Sequence, residues 1–310
     1  MAVVTQSHLL IHPPQGADYS VKHVDIPITD LEGAPDNHSA GSRWKIEGVH
    51  DLETLPHPSM LRAMPATVFT PSNANGAWLL IICGAGDNRF AFKWLLTRAL
   101  LQQGLSLLTI DPPGHGDFMS APATVHNVRR AASVAADWLH ARVRGGRIGA
   151  LGISFGACQA SWLAASDNRI ATLTTISAPV KLRPVTRSIV AREALALALP
   201  RNALLLRQAS WPQIWAEWKT MRGAWFGESL YDMIDAFDMP GAVRAIGTRP
   251  TLFVHGGADA AVPPQNSRTL YDAALPEREL IIVPQASHLT VVLQKPEMTQ
   301  VASWLSQHLT

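Results

Sequence analysis

Short apolar runs closed by glycine, proline or small polar residues recur along most of the chain. They alternate with stretches whose apolar positions repeat at three and four residues. The runs at residues 21–28, 66–70, 78–83, 105–110, 148–153, 171–177, 251–255 and 280–283 predict strands. The intervening stretches at 90–103, 124–143, 155–165, 267–274 and 296–309 predict helices. Regular alternation of this kind predicts an α/β fold, a mostly parallel β-sheet flanked by helices on both faces. It breaks once, over residues 180–248, where the pattern stays helical between two strands. That segment reads as an inserted helical cap. Three of its tryptophans, Trp211, Trp215 and Trp218, stand at i, i+4, i+7 and so share one helix face. Such a face suits packing of cap on core, or an apolar wall for a substrate. The resulting division is an N-terminal arm at 1–45, a core made of 46–179 and 249–310, and the cap at 180–248.

The chemistry begins where the run at 148–153 ends. Gly152-Ile153-Ser154-Phe155-Gly156 sets a serine between two glycines at a strand-to-helix junction. A nucleophile elbow needs this layout, because strand and helix close around the serine only if residues two places away carry no side chain. The pentapeptide alone is weak, since average glycine and serine usage would produce it by chance on the order of one time in ten in a chain of this length. A serine hydroxyl also needs a base, and the base an orienting acid. Asp259 follows the run at 251–255 in the loop Gly256-Gly257-Ala258-Asp259. His288 follows the run at 280–283 in the loop Pro284-Gln285-Ala286-Ser287-His288. All three candidates lie just past the ends of strands, where open α/β sheets build their sites. The plainer readings are a turn serine and a loop-capping aspartate.

Two further segments complete the pattern: Cys83-Gly84-Ala85-Gly86-Asp87 after one strand and Asp111-Pro112-Pro113-Gly114-His115-Gly116 after the next. With the order Ser154, Asp259, His288, the chain over residues 66–309 resembles the α/β-hydrolase family. The resemblance implies that Ser154 attacks a carbonyl carbon, His288 carries the proton and Asp259 holds the imidazole. It implies an oxyanion hole from the backbone N–H groups of Phe155 and Ala85. Cys83 stands where that family's loop commonly has histidine, and Ser287 where glycine commonly precedes the catalytic histidine. A serine nucleophile argues against the haloalkane dehalogenases of the same fold. The expected activity is cleavage of a carboxylic ester of a small to medium, fairly apolar substrate. Thioester, amide or C–C bond hydrolysis, acyl transfer, or ligand binding without catalysis remain open on the same residues.

Composition narrows the partners. A net charge of +2, with no dense basic cluster, gives no footprint for nucleic acid or an anionic membrane. No apolar run is long enough to span a bilayer, and the N-terminus lacks the charge and apolar pattern of a secretory signal. Two cysteines, Cys83 and Cys158, make no disulfide framework and agree with a reducing compartment. The expectation is a cytoplasmic protein with a small-molecule substrate, no membrane insertion, no metal and no cofactor; a homodimer stays open. Among secondary residues, Asp87 reads as the cap of the helix that follows and Arg89 as a solvent-facing arginine. His115 reads as a support for its own turn, and His255 as a strand-end residue packed near Asp259.

Overall fold

The computed structural model describes residues 19–33, 61–89, 94–199 and 224–310. In chain order the elements are β1 (Tyr19–Ile28), β2 (Arg62–Pro71), β3 (Trp78–Ile82), α1 (Trp94–Gln102), β4 (Ser106–Ile110), α2 (Val125–His140), β5 (Ile148–Ile153), α3 (Phe155–Ser166) and β6 (Ile170–Ile176). They continue with α4 (Arg187–Ala198), α5 (Leu230–Ala236), α6 (Met239–Ala245), β7 (Thr251–Gly256), α7 (Gln265–Ala273), β8 (Arg278–Val283) and α8 (Lys295–Leu309). One eight-stranded sheet runs in the order β1-β2-β4-β3-β5-β6-β7-β8. The pairs β1–β2 and β2–β4 are antiparallel, and every other pair is parallel. Each strand anticipated from its apolar run is present, and so are the five anticipated helices.

Burial on both sheet faces explains why the runs of the central strands are apolar at consecutive positions. All five residues of β4 and all six of β7 are buried. Side chains alternate between two cores, as a pleat with a period of two requires. Leu79 and Ile81 of β3 face one side, where they pack with Leu96 and Leu100 of α1 and with Val301 and Leu305 of α8. Leu80 and Ile82 face the other, against Ala131 and Ala135 of α2 and Leu163 of α3. The alanine row of α2 lets that helix lie close to the strands. Its start is fixed by Thr124, whose Oγ1 accepts from the Asn127 N–H at 3.1 Å.

Residues between β6 and β7 carry α4, α5 and α6. A third apolar cluster joins this segment to the elbow, with Met233, Phe237 and Val243 packed against Phe155 and Cys158. The tryptophan face at Trp211, Trp215 and Trp218 lies outside the described residues.

Candidate active site

Ser154 links the end of β5 to the start of α3 with φ 53° and ψ −123°, a backbone state that side-chain-bearing residues rarely adopt. Its N–H donates to Ile176 O of β6 at 2.8 Å, and its own carbonyl accepts from Ala157 N at 2.9 Å. The glycines two residues away are steric necessities. A Cβ on Gly152 would collide with the Gly156 carbonyl and Ala157 Cα, and one on Gly156 with the carbonyls of Ile82 and Cys83. Those are backbone atoms, so no rotamer change relieves either clash. The loop after β3 therefore presses directly on the elbow; a Cβ on Gly84 would stand 3.1 Å from Ser154 Cβ.

His288 follows β8, and its Nε2 lies 3.0 Å from Ser154 Oγ. Its Nδ1 lies 2.7 Å from Asp259 Oδ2. An ionised carboxylate only accepts, so Nδ1 carries the proton toward Asp259 and Nε2 accepts from the serine hydroxyl. Ser287, in the place where glycine was expected, is buried and hydrogen-bonded within the loop. Its N–H donates to Thr290 Oγ1 at 2.8 Å, and that hydroxyl donates back to Ser287 Oγ at 3.1 Å.

Asp259 is fully engaged. Oδ1 accepts from the N–H groups of Ala261 at 3.0 Å and Val262 at 2.7 Å. Oδ2 faces His288 and also His255 Nε2, 3.3 Å away and wholly buried. Because His255 Nε2 also points at Val262 O, 2.8 Å away, it is the donor; its Nδ1 then accepts from Ser267 Oγ–H at 2.6 Å. Burial by itself would raise the Asp259 carboxyl. The hydrogen bonds from His255 and His288, the imidazole charge and the Val262 N–H outweigh it and hold the group down at about 2. Burial pulls His288 in the opposite direction, toward neutrality. The hydrogen bond to Asp259, the charge of Asp259 and the charge of Glu193 overcome that and raise its pKa above 6.5.

Phe155 opens α3 and is buried, while Ala85 follows Gly84 in the turn after β3 and packs on the same apolar cluster. Both cysteines are buried and neither forms a disulfide. Burial pushes the Cys158 thiol up, which keeps it protonated and unreactive. His115 supports its own turn as anticipated, with Nδ1 2.9 Å from Pro113 O.

Arg89 and Asp87 sit otherwise than their sequence context suggests. Arg89 is buried rather than solvent-facing; its guanidinium pairs with Asp111, which is fully buried, and with Asp117 at 2.8 Å. Its N–H also donates to Asp111 Oδ1 at 2.7 Å. The loop after β3 is thereby tied to the loop after β4. Asp87 does not cap a helix: Asn88 and Arg89 directly after it are not helical, and its Oδ1 takes the Asn88 N–H at 2.7 Å. Glu193 of α4 was not anticipated at all, although it is buried against the loops of Asp259 and His288. Its partners lie 67 and 96 residues away, so no local pattern announces it.

Among the described residues there is no group of three or more His, Cys, Asp or Glu side chains that could hold a metal ion. Nor is any helix there long and apolar enough to cross a membrane.

A family model described as "Alpha/beta hydrolase family" matches residues 79–301. No curated protein matches the sequence. Among solved structures, the chain is similar to the esterase Pf2001 of Pyrococcus furiosus, at 17% identity and a TM-score of 0.59, over 96% of this chain and 97% of that one. It is similar to a soluble variant of monoglyceride lipase from Saccharomyces cerevisiae, at 16% identity and a TM-score of 0.59, over 80% and 93%. A third is the esterase domain of a Rhodothermus marinus protein, at 16% identity and a TM-score of 0.56, over 94% and 100%.

Proposed function

The chain belongs to the alpha/beta hydrolase family, and from that premise we propose that it is a serine hydrolase cleaving a carboxylic ester through an acyl-enzyme intermediate. The observation that carries the reading is His288 standing between Ser154 and Asp259, at 3.0 and 2.7 Å. In the proposed reaction His288 Nε2 takes the hydroxyl proton as Ser154 Oγ attacks the carbonyl carbon. The N–H groups of Phe155 and Ala85 take the negative charge that develops on the carbonyl oxygen. The imidazolium then gives its proton to the leaving alkoxide, which departs as the alcohol. Water repeats the sequence on the acyl-enzyme, with His288 as base, and releases the acid. Asp259 stays ionised throughout, which its low pKa supports.

A small to medium, fairly apolar substrate is supported by what borders the elbow. Val180, Leu182, Phe226 and Leu230, all from the segment between β6 and β7, pack on the cluster that contains Phe155. On this reading residues 180–248 form the cap, and Trp211, Trp215 and Trp218 are its candidate substrate contacts. The likenesses to esterases and a monoglyceride lipase agree with an ester as the bond cleaved.

The test is a fluorophosphonate probe applied to the wild type and to Ser154→Ala, with the modified peptide located by mass spectrometry. Labelling at Ser154 in the wild type, none in the variant, and turnover of p-nitrophenyl esters by the wild type alone are expected. A folded wild type that neither labels nor turns over esters would overturn the reading.

A further inference from the structure

Glu193 makes two contacts that share a pattern. Oε1 accepts from the N–H of Ala260, the residue directly after Asp259, at 3.2 Å. Oε2 accepts from the N–H of Leu289, the residue directly after His288, at 3.2 Å. One carboxylate thus spans the two loops that hold the acid and the base, and it is buried with only 6% of its surface exposed. It belongs to α4, an element of the segment between β6 and β7, not to either loop. A buried carboxylate is costly unless its oxygens are satisfied, and here two backbone N–H groups do so.

We propose that Glu193 is a positioning residue, which fastens the loop of Asp259 to the loop of His288 and sets a second negative charge beside the imidazole. The inference rests on the reading of Ser154, His288 and Asp259 as the catalytic set. Two charged groups act on His288 among the described residues: Asp259 from the loop after β7 and Glu193 from α4. Ser154 faces it as a neutral partner, and His255 reaches it only through Asp259. Asp259 orients the ring through a hydrogen bond. Glu193 acts without touching the ring, by fixing the backbone on either side of the Asp259–His288 bond and by favouring the imidazolium that forms during attack. A movement of α4 away from the sheet would withdraw the tether and the charge together. The basicity of His288 is then linked to the seating of the segment that carries α4.

The experiment is a titration of His288 by NMR in the wild type and in Glu193→Gln, with the resonance assigned by its loss in His288→Gln. Gln keeps the shape but removes the charge and turns an N–H group toward one of the two amides. The midpoint is expected to fall to lower pH, the acid limb of kcat/KM to move the same way, and kcat to drop on the order of tenfold with KM little changed. Should Gln at this position unfold the chain, Glu193→Asp is the second variant. It keeps the charge but withdraws it by one methylene, and a smaller fall in the same direction is expected. A purely structural residue would lower the unfolding midpoint and leave the titration where it was, and that result in a folded variant overturns the proposal. The titration reads His288 whether or not esters are turned over, so failure of the ester reading and failure of this one give different data.

Discussion

Asp259 gives the sharpest expectation at the scale of single residues. Asp259→Asn keeps the volume but presents an amide to His288 Nδ1, which favours the wrong tautomer of the ring; on the proposed chemistry, turnover is expected to fall on the order of ten-thousandfold. Stability follows from linkage. The folded pKa of Asp259 is depressed to about 2, so its stabilisation is present above the unfolded value near 4 and is lost as pH falls from there toward 2. It amounts to on the order of 2 kcal/mol. Urea unfolding of wild type and Asp259→Asn at stepped pH checks this: the gap between them should narrow across that interval, and a constant gap would count against it. Residues were legible in sequence where the chemistry is local. Ser154 was visible because its flanking glycines are forced by backbone atoms within van der Waals reach. Arg89 was misread because its partner, Asp111, is 22 residues away and becomes its neighbour only when β3 and β4 pair.

At the scale of elements, the Arg89–Asp111 pair joins the loops that follow two neighbouring strands. Asp111 is fully buried, and its environment already pushes its pKa up, chiefly through burial, with Arg89 as the main opposing influence. Arg89→Ala would leave that carboxylate without its guanidinium. A loss of roughly 3–5 kcal/mol is expected in chemical denaturation. Simultaneous replacement of Arg89 and Asp111 by apolar residues of similar volume should restore much of it. The central strands could be read from the sequence because coverage on both faces makes them continuous apolar runs. β8 is the instructive contrast: it ends the sheet among the described residues and its burial pattern is mixed, so only its last four residues, 280–283, stand out as a run. The described parts of the segment between β6 and β7 carry three helices, yet nothing in its periodicity indicated that α4 turns a glutamate toward two distant loops.

At the scale of the molecule, strand order is what the sequence hides. The chain passes β4 to the far side of β3 and returns through β5, and no local pattern encodes that crossing. The antiparallel pair at one edge also matters. Ile26 and Ile28 of β1 are buried in the core cluster that contains Leu80 and Ile82, so β1 is a structural member of the sheet. A variant lacking residues 19–28 would bare the edge of β2 along its ten paired positions. Self-association through that edge is expected in size-exclusion chromatography with light scattering, and a monomer of unchanged thermal stability would refute it. The separation of 134 residues between Ser154 and His288 carries a last consequence. On the ribosome the serine emerges first, then Asp259, and the imidazole after both. Until the imidazole is in place, the serine hydroxyl has nothing to take its proton. On the proposed chemistry, the nascent protein stays inert toward esters around it until the strand β8 has joined the sheet, and synthesis itself becomes the safety catch.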